Sequence, residues 1–163
     1  MSLIRPATPD DHRAILEIWT PVIRDTTITF ASEPKTPESL VAYIDGRRAR
    51  GREFFVAEVA GAVVGFASYD QFRGGDGYVH AMEHTVILGP GARGQGMGRA
   101  LMRAVEDHAR AAGAHTMVAG VSGENAAGIA FHAAVGYETC GTMPQSGRKF
   151  GRWLDLVLMQ KIL

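Results

Sequence analysis

The sequence predicts one domain of the mixed α+β class that spans residues 1–163. The first observation behind this prediction is that strand-like and helix-like apolar patterns alternate in the order βααβββαβαββ. The second is that no internal repeat, low-complexity tract or linker interrupts them. The third is that 163 residues, of which 46% are hydrophobic and 21% charged, suffice for one buried core.

The first part of the chain predicts a strand and two helices. Residues 3–7 form a short strand, and a helix begins after Thr8 with Pro9 at its first position. The same start signal recurs at Thr36, where a second helix begins. Residues 25–30 are rich in β-branched types, so we expect a loop or irregular strand that walls a pocket.

The middle of the chain predicts three strands. Residues 54–59 and 62–69 flank a two-residue turn and indicate an antiparallel hairpin. Residues 71–77, which contain three glycines, indicate a loop, and residues 78–88 one long extended segment.

The last part of the chain predicts a long helix that ends at Gly113, followed by a strand, a short helix and two closing strands. The helices cover residues 97–112 and 126–134, and the strands cover residues 116–121, 137–143 and 153–161.

Composition excludes several classes of function. Lys plus Arg and Asp plus Glu number 17 each, so no general field draws the protein to nucleic acid or anionic membrane. The N-terminus has no apolar signal region, and no apolar run approaches the roughly 20 residues that span a bilayer. We therefore expect a cytoplasmic protein.

The single Cys140 cannot form an intrachain disulfide, and we expect it to be a core thiol. The six histidines have no metal-ligand spacing, so we expect no metal.

A glycine-rich segment, residues 89–99, joins the long strand to the long helix. Side-chain-free backbone there suits a pyrophosphate at a helix N-terminus. The segment formally contains the dinucleotide fingerprint, but Pro90 removes a donor and no acid ends the following strand to bind a ribose hydroxyl. No Gly-Lys-Ser/Thr follows, which argues against a P-loop. A glycine-rich helix start without a ligand is the remaining alternative.

Arg93-x-x-Gly96-x-Gly98 resembles the acetyl-CoA signature of the GNAT superfamily. Asn125 and Gly136-Tyr137 follow at the places where that superfamily has an Asn and a Gly-aromatic pair. The resemblance implies the GNAT acyl-CoA N-acyltransferase fold, a central twisted, mostly antiparallel sheet flanked by helices, with acetyl-CoA as co-substrate.

Almost the full chain resembles one GNAT branch, the phosphinothricin and methionine sulfoximine N-acetyltransferases. The similar segments include Asp25 to Phe30, Glu83-His84-Thr85-Val86, Ser122 to Asn125 and Gly151-x-Trp153-x-Asp155. Departures lie at Leu88 and in residues 74–76 and 79–82, beside the expected acceptor pocket. The resemblance also implies a homodimer with the 151–155 segment near its interface.

The resemblance assigns the cofactor-binding residues by position. The strand before the glycine loop would pair its backbone with the pantetheine arm, and the loop amides would bind the pyrophosphate. These residues are Val86, Ile87, Leu88, Arg93, Gly94, Gln95, Gly96, Met97, Gly98, Arg99 and Asn125.

Two catalytic residues are predicted. Acetyl transfer needs a neutral amine, and the resemblance gives Glu83 a base or amine-binding role, with an ordinary surface carboxylate as the alternative. The N–H of Val86 would stabilise the oxyanion. Phe131 stands where many superfamily members have a Tyr acid, so the adjacent His132 is either the acid toward the thiolate or a partly buried helix histidine.

The predicted acceptor site contains one cation and several walls. Arg73 is suited to a substrate carboxylate, unless it is simply a solvated loop side chain, and Phe30 and Tyr78 would wall the substrate. Glu83, His84 and Thr85 complete this predicted set.

The predicted function is acetylation of the α-amine of a small amino-acid-like molecule such as methionine sulfoximine, methionine sulfone or phosphinothricin. The alternatives are acetylation of a protein N-terminus or another amine, and a non-catalytic acetyl-CoA sensor.

Overall fold

The computed structural model describes residues 1–90, 92 and 94–163. In chain order the strands and helices follow the predicted order βααβββαβαββ. They are β1 (Ser2–Pro6), α1 (His12–Asp25), α2 (Pro37–Ala49), β2 (Phe54–Val59), β3 (Ala62–Gln71), β4 (Ala81–Leu88), α3 (Met97–Ala111), β5 (Thr116–Ser122), α4 (Ala126–Ala134), β6 (Glu138–Lys149) and β7 (Arg152–Ile162).

The described strands form one sheet in the order β1-β2-β3-β4-β5-β7-β6. Every neighbouring pair is antiparallel except β4 and β5, which run parallel. This arrangement confirms the predicted mixed α+β class with a mostly antiparallel sheet. Two buried clusters cover its faces: α1 and α2 pack on one, and α3 packs on the other.

Capping residues and turn glycines set the ends of several helices and strands. Thr36 and Ser39 exchange hydrogen bonds at the start of α2, where Oγ1 of Thr36 accepts from the Ser39 amide at 3.1 Å. Ala60 and Gly61 both have positive φ in the hairpin turn, as a tight antiparallel turn requires. Gly113, with φ of 93°, follows the last turn of α3 as predicted.

Three expectations were wrong. The extended segment begins only at Ala81, because Asp76–Tyr78 forms a single 3-10 turn. Strand β6 continues to Lys149 rather than ending at residue 143, through an irregularity between Met143 and Gly147 that interrupts the alternating pattern. Cys140 is exposed rather than a core thiol, because it lies at a register shift on the edge strand β6.

None of the described helices has the length and apolar character to cross a membrane.

Candidate active site

The sheet divides between β4 and β5. The two strands pair only where Ala81–Glu83 faces Thr116–Val118, whereas β3 pairs with β4 along its whole length up to Leu88. Beyond Glu83 the strands diverge, and no strand of the described chain pairs with this edge of β4. The split therefore opens a cleft with strand backbone on one wall.

One cavity of about 310 Å³ occupies the cleft next to the glycine-rich segment. We call it the cofactor cavity. Its lining residues are Val22, Ile28, Val86, Ile87, Leu88, Gly94, Gly98, Asn125, Ala127, Gly128, Phe131 and His132.

Glycines allow the backbone at one end of this cavity to approach closely. Gly94 and Gly96 both have φ of 77°, a left-handed conformation that disfavours a side chain. A Cβ atom on Gly98 would lie 3.0 Å from Cε2 of Phe131, so a larger residue would force the Phe131 ring on α4 to shift. The first amides of α3 lack acceptors within the helix, as at any helix N-terminus, and a terminus of this kind is suited to an anion.

A second cavity of about 370 Å³ adjoins the first. We call it the acceptor cavity. Its lining residues are Trp19, Ile28, Thr29, Phe30, Glu83, His84, Thr85, Val86, Ile87, Gly120, Val121, Ser122, Asn125, His132 and Leu156. Ile28, Val86, Ile87, Asn125 and His132 line both cavities, so the two spaces meet at the middle of β4.

Glu83 lies on the wall of the acceptor cavity at the point where the strands diverge. Gly120 opposite leaves room for it, because a Cβ atom there would lie 3.4 Å from Oε1. The residue is open to solvent, yet the protein around its carboxylate desolvates it and raises its pKa, while Arg47 acts in the opposite direction. A carboxylate with a raised pKa in a cavity is suited to proton transfer.

His84 and His132 form a buried pair below the junction of the cavities. Their Nε2 atoms are 3.1 Å apart, and Nδ1 of His132 donates to the Gly128 carbonyl at 2.7 Å. In the neutral pair, Nε2 of His132 must therefore accept from His84. Burial lowers the pKa of both rings, that of His84 to about 3. His132 can release a proton to a ligand only after it has first gained one.

A loop after α1 covers the acceptor cavity with Ile28, Thr29 and Phe30, as the β-branched segment predicted. Lys149 holds this loop from β6. Its Nζ, on a residue that is 3% exposed, donates to the carbonyls of Ile23 at 2.6 Å and Thr29 at 2.9 Å. The cover is thus attached to both α1 and the sheet.

Most of the predicted site residues lie together at this cleft. Phe30, Glu83, His84 and Thr85 line the acceptor cavity, and the predicted residues that line the cofactor cavity are Val86, Ile87, Leu88, Gly94, Gly98, Asn125 and His132.

Some predicted residues do not contribute side chains to the cleft. Arg73 and Tyr78 line neither cavity; both are exposed, and the Arg73 guanidinium lies 5.2 Å from the Tyr78 ring centroid. Met97 points into the core, and Arg99 donates to the Ala134 carbonyl at 3.2 Å. Gln95 and Gly96 lie in the turn before α3 and line neither cavity. Arg93 lies outside the described residues.

Two residues that line or support the cleft had no predicted function in the sequence. Trp19 was one apolar position on α1, and it lines the acceptor cavity. Lys149 stood in a segment that showed no regular pattern. In the part of the chain that the structure describes, no group of three potential metal ligands occurs.

Comparison with known families agrees with this geometry. Residues 16–137 match the acetyltransferase (GNAT) family model. The chain belongs to the GNAT family. Family membership makes it an acyltransferase, and the cleft between β4 and β5 is the candidate active site of this GNAT enzyme.

Three relatives place the GNAT chain more closely. It is 38% identical to an L-methionine sulfoximine/L-methionine sulfone acetyltransferase from Salmonella typhimurium over 96% of this chain and 92% of that one. A ribosomal-protein-alanine N-acetyltransferase from Brucella melitensis superposes with a TM-score of 0.95 at 42% identity, over 99% of both chains. A phosphinothricin acetyltransferase from Sinorhizobium meliloti, solved with acetyl-CoA, superposes with a TM-score of 0.94 at 32% identity over 99% of this chain and 88% of that one.

Proposed function

We propose that residues 1–163 act as one acetyl-CoA-dependent N-acetyltransferase domain for the α-amine of a small amino-acid-like molecule. Methionine sulfoximine, methionine sulfone and phosphinothricin are the leading acceptors. The observation that carries the proposal is that the cofactor and acceptor cavities meet at Val86, Ile87 and His132, with Glu83 on the acceptor side. The names of the methionine sulfoximine and phosphinothricin relatives support the choice of acceptors.

Acetyl-CoA fits the cofactor cavity by the chemistry of its lining. The unpaired edge of β4 offers backbone groups to the pantetheine amides, and the glycine turn before α3 offers amides to the pyrophosphate. Arg93 to Arg99 are assigned to the pyrophosphate and Asn125 to the arm. Asn125 lines both cavities while its Oδ1 caps α4 through the Gly128 amide at 2.9 Å. The co-substrate supplies the acetyl thioester.

Glu83 prepares the acceptor. It removes the proton of the ammonium group, directly or through water, so that the neutral amine can attack the thioester carbonyl. The N–H of Val86 stabilises the oxyanion of the tetrahedral intermediate. Transfer is direct, without an acyl-enzyme.

His132 manages the second proton. After attack the amine nitrogen must lose a proton, and the departing thiolate must gain one. His132 lines both cavities, so it is the group placed to carry this proton to the sulfur once its Nε2 exchanges the hydrogen bond with His84 for one with the reacting groups. The lowered pKa of His132 favours release of the proton and opposes its uptake, so the imidazolium exists only in passing.

A second candidate is acetylation of a protein N-terminus. The similarity to the Brucella melitensis enzyme favours it, and it requires the acceptor cavity to admit a peptide past Phe30.

The proposed enzyme acts in the cytoplasm as a homodimer, with Arg73 and Tyr78 completing the acceptor site in the assembled form. These residues are exposed in the single chain, together with Trp153 on β7. Gel filtration that returned only the 17.5 kDa monomer would contradict the dimer.

The test is thiol release from acetyl-CoA with methionine sulfoximine, methionine sulfone, phosphinothricin, ordinary amino acids and short peptides that begin with alanine. Turnover confined to the first three supports the proposal, and turnover confined to the peptides replaces it with the second candidate. Acetyl-CoA binding without turnover of any acceptor would contradict both and favour a sensor.

A further inference from the structure

The ring of Phe30 rests directly on the backbone of β6 at Gly147. A Cβ atom built on Gly147 would lie 2.7 Å from Cγ of Phe30, and two further carbon atoms of the same ring would lie closer still. Non-bonded carbon atoms pack best at about 3.5–4.0 Å. The ring can therefore keep its position only while residue 147 has no side chain.

The backbone of Gly147 does not itself require glycine. Its φ is not positive, unlike that of Gly151 in the next turn, so alanine can adopt the same conformation. Gly141, earlier on β6, also lacks a positive φ, and no described atom beyond its chain neighbours lies within 4 Å of a Cβ built there. Alanine at 147 would thus disturb the contact with Phe30, whereas alanine at 141 would meet open space.

An irregularity of β6 places Gly147 beside the acceptor cavity. Gly147 pairs with Leu154 of β7, whereas the preceding pair joins Met143 to Leu156, so three residues of β6 lie opposite one residue of β7. Such an insertion re-aims the strand that follows it. Leu156 lines the acceptor cavity, so Gly147 lies on the strand next to the wall of that cavity.

The loop that carries Phe30 is fixed to the same face of β6. Gly147 and Lys149 are two positions apart and both are buried, so they share one face of the strand. Lys149 donates to the Thr29 carbonyl at 2.9 Å and thereby holds the backbone next to Phe30. A ring displaced from residue 147 must therefore turn about its own side-chain bonds. Phe30 lines the acceptor cavity, and we expect the ring to turn into that empty space.

We propose that Gly147 determines which acceptor side chains the enzyme admits, because its bare backbone seats the Phe30 ring against β6 and out of the acceptor cavity. This assignment rests on the proposed function. Gly147 lines neither cavity, so it is a positioning residue that acts through Phe30. Any larger residue at 147 narrows the cavity and excludes long acceptor side chains, while the chemistry at Glu83 stays the same.

The experiment uses three acceptors of graded length. S-methyl-L-cysteine sulfone, L-methionine sulfone and L-ethionine sulfone share the α-amino acid group and the sulfone, and each is one methylene longer than the one before. kcat and KM are measured for each in the wild type and in Gly147→Ala. We expect kcat/KM of the variant to fall by about tenfold more for each added methylene, mainly through KM, with little change for the shortest acceptor.

Gly141→Ala is the matched control, because it adds the same methyl group to the same strand without touching Phe30. It should leave the order and the spacing of the three kcat/KM values unchanged. Melting temperature and acetyl-CoA affinity verify that each variant is folded.

A Phe30→Ala background tests the contact from the other side. Without the ring, Gly147→Ala should no longer alter selectivity, as a double-mutant cycle of two contacting residues requires. Phe30→Ala should favour the longest acceptor, and adding Gly147→Val to it should reverse that preference by refilling the space from β6. This pair decides the matter if Gly147→Ala alone does not fold.

Each other outcome overturns the assignment. An equal fall for all three acceptors in Gly147→Ala, or the same loss of the long acceptors in Gly141→Ala, would make the effect one of general stability. A shift toward longer acceptors would show that the ring turns outward. In all these cases the wild type still acetylates the sulfones, so the proposed function stands; a wild type that acetylates none of them overturns that function and this assignment with it.

Discussion

Replacing Lys149 with Met tests whether one buried lysine holds the cover of the acceptor cavity. The ammonium donates two hydrogen bonds, to the carbonyls of Ile23 at 2.6 Å and Thr29 at 2.9 Å. Bonds from a charged donor contribute about 1.5–3 kcal/mol each, and relief of the buried charge offsets part of the loss. We expect the free energy of unfolding to fall by about 2–4 kcal/mol. For a chain of this size, that lowers the melting temperature by on the order of 10 °C.

The assay combines thermal unfolding with steady-state kinetics. The Lys149→Met variant should also raise the acceptor KM by about tenfold, because Thr29 and Phe30 lose their attachment, while the KM for acetyl-CoA changes little. Lys161→Met is the matched control. Its Nζ also binds two partners, Glu106 at 2.8 Å and the Val135 carbonyl at 3.0 Å, but neither lines the acceptor cavity. A melting temperature within about 2 °C of wild type for Lys149→Met, or an equal rise of acceptor KM in both variants, would refute the reasoning.

Three further predictions concern the base, the glycine turn and the histidine pair. Glu83→Gln should lower kcat by about 10²- to 10⁴-fold without weakening acetyl-CoA binding. It should also abolish the loss of kcat/KM that the wild type shows as pH falls through the raised pKa of this carboxyl. If the pH dependence of kcat/KM is the same in the variant and the wild type, Glu83 is not the base. Gly96→Ala and Gly113→Ala both force alanine into a left-handed conformation and should each cost about 1–2 kcal/mol of stability, but calorimetry should find weaker acetyl-CoA binding only for Gly96→Ala. In the folded chain the pKa of His84 is lowered from 6.5 to about 3, so between these pH values the unfolded chain binds more protons and stability falls as pH falls. Titration of His84 should therefore lower the free energy of unfolding by about 2 kcal/mol between about pH 7 and about pH 5. Denaturant titration of His84→Asn should lack that drop.

The strands and helices whose ends carry strong local signals were predictable from sequence. Thr36-Pro37 begins α2 and Gly113 ends α3, because capping chemistry acts within one turn of the chain. The extent of β6 was not predictable, since an edge strand with a register irregularity has no regular alternation. A separate register shift between Thr139 and Gly141 left Cys140 exposed where a buried thiol was expected.

Some residues of the candidate site were likewise predictable from the sequence, and others were not. Glu83, His84, Thr85 and the glycines before α3 were found because their order along the chain matches a family pattern. The sequence did not predict that Arg73 is exposed or that Lys149 holds the loop over the acceptor cavity. Both depend on contacts between residues distant in sequence, and no local pattern specifies such contacts.

The class of the fold, the family and the glycine turn before α3 could be predicted from the amino-acid sequence, because these depend on periodicity, capping and spacing along the chain. The position of the cleft could not be predicted in this way, because it depends on where the pairing of β4 with β5 ends, at Glu83 and Val118, and this contact joins residues distant in sequence. The tertiary structure also brought Lys149 of β6 to the carbonyls of Ile23 and Thr29, a contact over more than 100 residues that no linear pattern specifies.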